Sequence, residues 1–186
     1  MGTTIDVRCV AERDIDEPLS RQIIALQRVA FPNEEQFKGK RWAFTVPLAE
    51  DRWFQAWEGD ELAGSVWLHH RTILTADGPR KVGGIANVCS SPAHRGAGAA
   101  KACMRAAGDY MAGNDGIDFG LLFCGHVVVK FYASLGWHVT DNRYLAHQPD
   151  GTIKPIHDGC FVMNLDVHEG RTPWPTGEID LNGAEW

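Results

Sequence analysis

The chain opens on an alternating, β-branched run, Thr4-Ile5-Asp6-Val7-Arg8-Cys9-Val10, whose period of two predicts a strand. Leu19, Ile23, Ile24, Leu26 and Val29 then recur at helical spacing and predict a helix over 16–30, closed by Phe31-Pro32-Asn33. A second, poorer helix is expected within 34–48. Trp53-Phe54-Gln55-Ala56-Trp57 turns at Gly59-Asp60 into a long apolar run, 62–75. Ala76-Asp77-Gly78-Pro79 then turns into Lys81–Cys89, and the two hairpin signals together predict an antiparallel meander of three strands. After the meander the period changes. Residues 98–112 are small, helix-favouring and free of proline. Gly120–Cys124 reads as a buried strand, 126–135 as a short helix ending at Gly136, and two more strands are expected near 137–146 and 159–166. The tail, 172–186, is punctuated by proline and glycine and is expected to be extended and docked rather than frayed. The outline is an α+β fold, with helices flanking a mixed, mostly antiparallel central sheet.

At 186 residues the expectation is a single domain, 1–186. The 18 basic residues against 24 acidic ones give a net charge of −6, which argues against nucleic acid as a partner and suits a cationic small molecule. The same charge also serves solubility alone. Five cysteines, Cys9, Cys89, Cys103, Cys124 and Cys160, are widely spaced, with no C-x-x-C pair, as expected of reduced thiols in a cytoplasmic protein. No basic-then-apolar leader opens the chain and no stretch approaches 18 apolar residues, so neither secretion nor membrane spanning is expected. Adjacent histidines on a strand, His69 and His70, point to opposite faces and cannot easily share an ion, so no metal is expected. Seven tryptophans are compatible with a homodimer interface and equally with core packing or substrate stacking.

The most specific signal lies between strand 81–89 and helix 98–112. Ser90-Ser91-Pro92-Ala93-His94 ends the strand, and Arg95-Gly96-Ala97-Gly98-Ala99-Ala100 opens the helix. A helix start leaves several N–H donors unpaired and carries about half a positive charge, which suits a phosphate. Glycines admit an anion close to the backbone, and Arg95 adds a fixed charge. A P-loop is excluded because no Lys-Ser or Lys-Thr follows the last glycine, and the hairpins before the loop disfavour a dinucleotide fold.

The stretch Val88–Trp137 resembles the GCN5-related N-acetyltransferases. Arg95, Gly98 and Ala100 meet that family's signature of Arg or Gln, two residues, Gly, one residue, then Gly or Ala. Phe131-Tyr132-Ala133-Ser134-Leu135-Gly136-Trp137 matches its later Phe-Tyr and Gly-aromatic pattern. The resemblance implies acetyl-CoA as cofactor. It places pantetheine on the backbone of Val88, Cys89 and Ser90, and pyrophosphate on the amides of Gly96, Ala97, Gly98, Ala99, Ala100 and Lys101. It also implies that the Val88 N–H polarises the thioester carbonyl, and that Tyr132 protonates the departing thiolate. A thiol near pKa ~8.5 and a phenol near ~10 make that exchange reasonable.

Within the family, Tyr132–Trp137, Pro149-Asp150-Gly151-Thr152, Asp158-Gly159 and the ending Trp174–Trp186 are similar to the aminoglycoside 2'-N-acetyltransferases. The tail is also similar to the nodulation acyltransferases. This implies that the tail, 172–186, docks near the substrate site, and it implies substrate roles for Asp158, Glu185, Trp186 and Asn87. Asp158, Glu185 and the carboxylate of Trp186 are the candidate proton acceptors for the amine. Two positions where those enzymes carry acids are here Arg41 and Ala86. The expected substrate therefore has fewer amines, or its own carboxylate for Arg41. The 2'-amine of kasugamycin fits that description, and antibiotic resistance would be the role. The competing expectations are a peptide or other small amine as acceptor, a longer acyl donor, and a non-catalytic acyl-CoA-binding module. Cys89 and Cys124 are expected to be inert buried thiols rather than acyl carriers.

Overall fold

The computed structural model describes residues 4–33, 39–42, 45–156 and 159–186, and the chain divides into two compact units. The first comprises residues 1–69 and 86–107, the second 70–85 and 108–186.

In the first unit, strand β1 (Ile5–Ala11) pairs antiparallel with β2 (Arg52–Glu58), and β2 with the first part of β3 (Glu61–Thr75). Helix α1 (Glu17–Ala30) begins where Asp16 accepts a hydrogen bond from the Leu19 N–H at 2.9 Å, with proline in the first turn. It buries Ile23, Leu26 and Gln27. Of the second helix expected within 34–48, residues 34–38 and 43–44 lie outside the described residues; 39–42 and 45–48 are turn and coil. Trp53 and Trp67 stack at 5.9 Å. Beneath them the fully buried Asp51 accepts from the Leu48 N–H and Trp67 Nε1, with His69 Nδ1 2.7 Å away. A buried carboxylate is tolerated where its lone pairs are met in this way.

The second unit holds the strand order β6-β9-β5-β4-β3-β10-β7-β8. Here β4 is Gly78–Ser90, β5 Phe119–Gly125, β6 His138–Val139, β7 Arg143–His147, β8 Ile153–Pro155, β9 Cys160–Asp166 and β10 Glu178–Asp180. The sheet is mixed, with β4–β5 and β7–β10 parallel. Helix α2 (Ala99–Ala112) spans both units. Residues 126–135 form a 3-10 turn, His126–Val128, followed by α3, only Val129–Ala133, rather than one helix. Three consecutive valines with restricted χ1 explain the shortening. The tail is built into the sheet. Asp180 pairs with Leu74 of β3, and Glu178–Asp180 run parallel to Arg143–Leu145 of β7. Ile179 and Leu181 are fully buried there, with Ile73, Phe119, Leu121 and Tyr144 in the same cluster.

Candidate active site

The parallel ladder between β4 and β5 ends at Ile85–Leu122. Over that ladder, Val82–Ile85 are buried; Ala86, Asn87 and Val88 are then half-buried in succession. A run of partly open residues on a strand that has lost its ladder partner leaves backbone donors and acceptors for an extended ligand. The strand's other side stays tied to β3, and the Ser91 N–H donates to the Ala63 carbonyl at 2.8 Å.

The chain then passes through a 3-10 turn, Pro92–His94, into the loop before α2. Gly96 and Gly98 have φ of 85° and 83°, a region open to glycine, and no atom would meet a Cβ at either, so the requirement for glycine is conformational. The first helical bond is Ala102 N–H to the Gly98 carbonyl, which leaves the amides of Ala99, Ala100 and Lys101 outside the helix ladder. Of the amides expected to receive pyrophosphate, that of Ala97 is spent within the turn, donating to the His94 carbonyl at 3.1 Å. His94 itself reaches Glu58 and Glu61 at 3.3 Å each and fastens the turn to the β2–β3 hairpin.

The start of α2 sits close on the sheet because Gly64 lies under it. A Cβ there would fall 3.0 Å from Ala99 Cβ and 3.2 Å from the Cys89 carbonyl oxygen. Ala99, Cys103 and Ala107, at i, i+4 and i+8, are the small buried face of the helix. Burial pushes the thiols of Cys89 and Cys103 up to about 12 and that of Cys124 up to about 11, so none is a ready nucleophile. Iodoacetamide at neutral pH is expected to label Cys9 and Cys160 of the native protein and to spare these three, which mass spectrometry reads directly. The shift also couples to stability. An unfolded thiol ionises near pH ~8.5, so between there and about 12 the folded chain binds more protons than the unfolded one. Stability is therefore intact below pH ~8.5 and falls as pH rises, by up to about 1.4 kcal/mol per unit for each thiol. Cys103→Ala should lose less urea resistance than the parent between pH 8 and 10.5; an equal loss contradicts the assignment.

Arg41, expected to face a substrate carboxylate, has its guanidinium engaged inside the protein. It pairs with Glu12, donates to Ser20 Oγ at 2.5 Å and lies over the Trp53 ring at 5.9 Å. The other oxygen of Glu12 accepts from Trp53 Nε1 at 2.7 Å. The Arg41 carbonyl is equally occupied, accepting from Gln27 Nε2 at 3.0 Å and from Asn87 Nδ2 at 2.7 Å. The amide of Asn87 thus points to backbone.

In the second unit, Tyr132 is 7% exposed and its phenol is raised above its ordinary value, first by burial and then by the neighbouring Cys124 thiol. The hydroxyl therefore keeps its proton and can only donate as a neutral group at physiological pH. Cys124 is raised first by burial and then by the Cys160 thiol, and Cys160 first by burial and then by Glu185. Tyr132, Cys124, Cys160 and Glu185 therefore form a chain of neighbours. Trp186 lies edge-on to Phe123 at 5.0 Å, with the Arg71 guanidinium 5.3 Å from its ring. Asp158 lies outside the described residues. The sequence reading missed Gly84, Phe123 and Arg71, which seat Trp186. Only Gly84, a glycine inside an apolar strand, carried a local signal of close approach. His69 turns to Asp51 and His70 to Tyr110, 3.5 Å from its hydroxyl. Among the described residues no helix is long and apolar enough to cross a membrane.

Residues 12–140 match the family model of the acetyltransferase (GNAT) domain, well over half of the chain. The chain belongs to the GNAT acetyltransferase family: it is an N-acetyltransferase that uses acetyl-CoA. Solved structures share the fold at low identity. The GNAT family N-acetyltransferase YhbS of Escherichia coli, solved in complex with CoA, has a TM-score of 0.66 at 16% identity, over 96% of this chain and 90% of its own. Escherichia coli ElaA gives 0.62 at 15% identity, over 87% and 99%. An acyl-CoA N-acyltransferase from Pseudomonas aeruginosa gives 0.61 at 18%, over 87% and 99%. No curated protein sequence matches the chain. The GNAT fold accounts for the mixed sheet and for the strand–loop–helix at 86–101. That segment fits the cofactor: a half-open strand edge, amides outside the helix ladder and two left-handed glycines stand in sequence along it.

Proposed function

We propose that this acetyltransferase acts on an amine of an aminoglycoside or amino sugar, at the 2'-position, with kasugamycin the first compound to test and antibiotic resistance the consequence. The chain is read as a single domain, 1–186, because the family match runs through residues of both units. The observation that supports the acceptor assignment is the packing of Trp186 edge-on to Phe123 on β5, with Glu185 close enough to raise Cys160 on the adjoining β9. A carboxylate beside an aromatic ring suits a protonated amine on a sugar.

Acetyl-CoA supplies an acetyl group already activated as a thioester. Val88, Cys89 and Ser90 bind it through their backbone. Arg95 and the amides of Gly96, Gly98, Ala99, Ala100 and Lys101 take the pyrophosphate. The Val88 N–H donates to the carbonyl as negative charge develops on its oxygen. Glu185 accepts the proton that the amine must lose before it attacks. Tyr132 Oη gives its proton to the departing sulfur, and the second proton, shed by the nitrogen as the amide forms, restores the phenol. Asp158 completes the acceptor site in this reading, while Arg41 serves the fold.

CoA release from acetyl-CoA, measured against kasugamycin, other aminoglycosides, polyamines and short peptides, tests the proposal. Turnover confined to amino sugars supports it; turnover of peptides alone overturns it. Tyr132→Phe should lower kcat about 10-fold or more with little change in KM for acetyl-CoA, because only a proton donor is lost. The raised phenol implies that Tyr132 itself imposes no alkaline fall in kcat below pH ~10. The second reading, a peptide amine, is decided by the same panel.

A further inference from the structure

We infer that Asn87 is a positioning residue for acetyl transfer: its side-chain amide, tied to the Arg41 carbonyl, holds the strand edge in the conformation that presents the Val88 N–H. This rests on the cofactor-binding role proposed for Val88. Asn87 has φ 53°, inside a strand and without being glycine. The left-handed region is disfavoured for residues with a Cβ, and asparagine enters it when its short amide finds a local or backbone partner. Glycine would reach this φ without opposition, as Gly96 and Gly98 do a few residues later. An asparagine here therefore points to a use for the side chain. That use is the 2.7 Å bond from Nδ2 to the Arg41 carbonyl.

The anchor is itself fixed. The same carbonyl accepts from Gln27, which is fully buried on α1, and the Arg41 side chain is held by Glu12 and Ser20. Asn87 stands two residues beyond the last β4–β5 pair, Ile85–Leu122, and immediately before Val88. A left-handed residue within a strand interrupts the pleat, as at a β-bulge, and re-aims the peptides beside it. Glu12, Ser20, Gln27 and Arg41, all remote in sequence, thus converge on the one peptide whose direction the chemistry needs. Donors for a developing oxyanion act through pre-set direction, and small errors of aim reduce kcat more than binding.

Three variants separate conformation from tether. Asn87→Gly keeps the φ and loses the tether, Asn87→Asp keeps the shape and replaces the donor by a carboxylate, and Asn87→Ala loses both. Steady-state kinetics, melting temperature and the Val88 amide cross-peak in 1H–15N spectra, with and without CoA, are measured for each. Asn87→Gly and Asn87→Asp should each lower kcat about 10-fold or more while KM for acetyl-CoA stays within about 3-fold, because the pyrophosphate amides are untouched. The Val88 cross-peak should move in the free protein, and its CoA-induced shift should shrink. Unchanged kcat in Asn87→Gly, or a rise in acceptor KM with kcat preserved, overturns the assignment, the latter by making Asn87 an acceptor ligand. Should Asn87→Asp fail to fold, the glycine variant carries the test alone. Should the parent turn over none of the amines tried, the acceptor proposal fails and the spectra still decide: a parent-like Val88 response in Asn87→Gly overturns the positioning role, and an altered one supports it.

Discussion

Gly84→Ala is expected to lower stability by about 2–3 kcal/mol in the parent and to be neutral or stabilising by up to about 1 kcal/mol once Trp186 is replaced by alanine. The cause is a single close approach. A Cβ on Gly84 would fall 2.5 Å from Trp186 Nε1 and 2.8 Å from Cζ2, so the indole must leave. It would give up its edge contact with Phe123 and its place beside the Arg71 guanidinium. Overpacking of this kind typically costs 1–3 kcal/mol, and the loss of a large aromatic contact is of the same order. With the indole removed, the three atoms nearest that Cβ are gone. Alanine then fits a strand better than glycine, which carries the larger entropic cost of ordering. Four urea denaturation curves, parent, each single variant and the double, measure the coupling. Simple additivity would show that Gly84 serves something other than Trp186.

Trp186 also marks where the sequence stops being readable. The meander β2–β4 and the loop before α2 were legible because their signals are local: a turn pair between apolar runs, and glycines opening a run of small helix formers. The tail was legible only as extended. Its insertion as β10 between β3 and β7, parallel to β7, depends on Leu74 and Arg143–Leu145, residues with no local relation to it. Arg71 reaches the Leu181 carbonyl across 110 residues at 3.1 Å, a contact that no periodicity encodes. The small strands β6 and β8, two and three residues long, fall below any window that alternation can score. In the candidate site the amides at the start of α2 were legible from glycines opening a run of helix formers, whereas the part given to the Val88 N–H came only from the family resemblance. The positive φ of Asn87 was not legible, since asparagine in a strand has no distinguishing neighbour in sequence. Arg41 shows the reverse error. Through the resemblance to the aminoglycoside enzymes Arg41 reads as a substrate ligand, until its partner Glu12, 29 residues earlier, is seen.

Glu12→Gln should cost about 3–5 kcal/mol, because it removes the countercharge from an arginine that cannot give up its proton. The Arg41 side chain is 12% exposed and that of Glu12 15%, too little water to screen the loss. Glutamine also replaces one acceptor oxygen by a donor, so either the guanidinium or Trp53 Nε1 loses its partner. The double change Glu12→Met with Arg41→Met should recover most of the stability, since an apolar pair of similar length needs no desolvation. A drop in the urea midpoint at constant m-value for Glu12→Gln, restored in the double variant, is the expected pattern. An unfolding free energy within about 0.5 kcal/mol of the parent would place the pair among ordinary surface bridges. The double variant also separates stability from catalysis. The Arg41 backbone carbonyl remains in place, so the tether to Asn87 survives only if the segment around residue 41 keeps its path without the ion pair. Recovered stability with kcat still depressed would mean that the charge pair fixes the path of that carbonyl. Recovery of both would assign that task to Gln27, whose Nε2 lies 3.0 Å from the same oxygen.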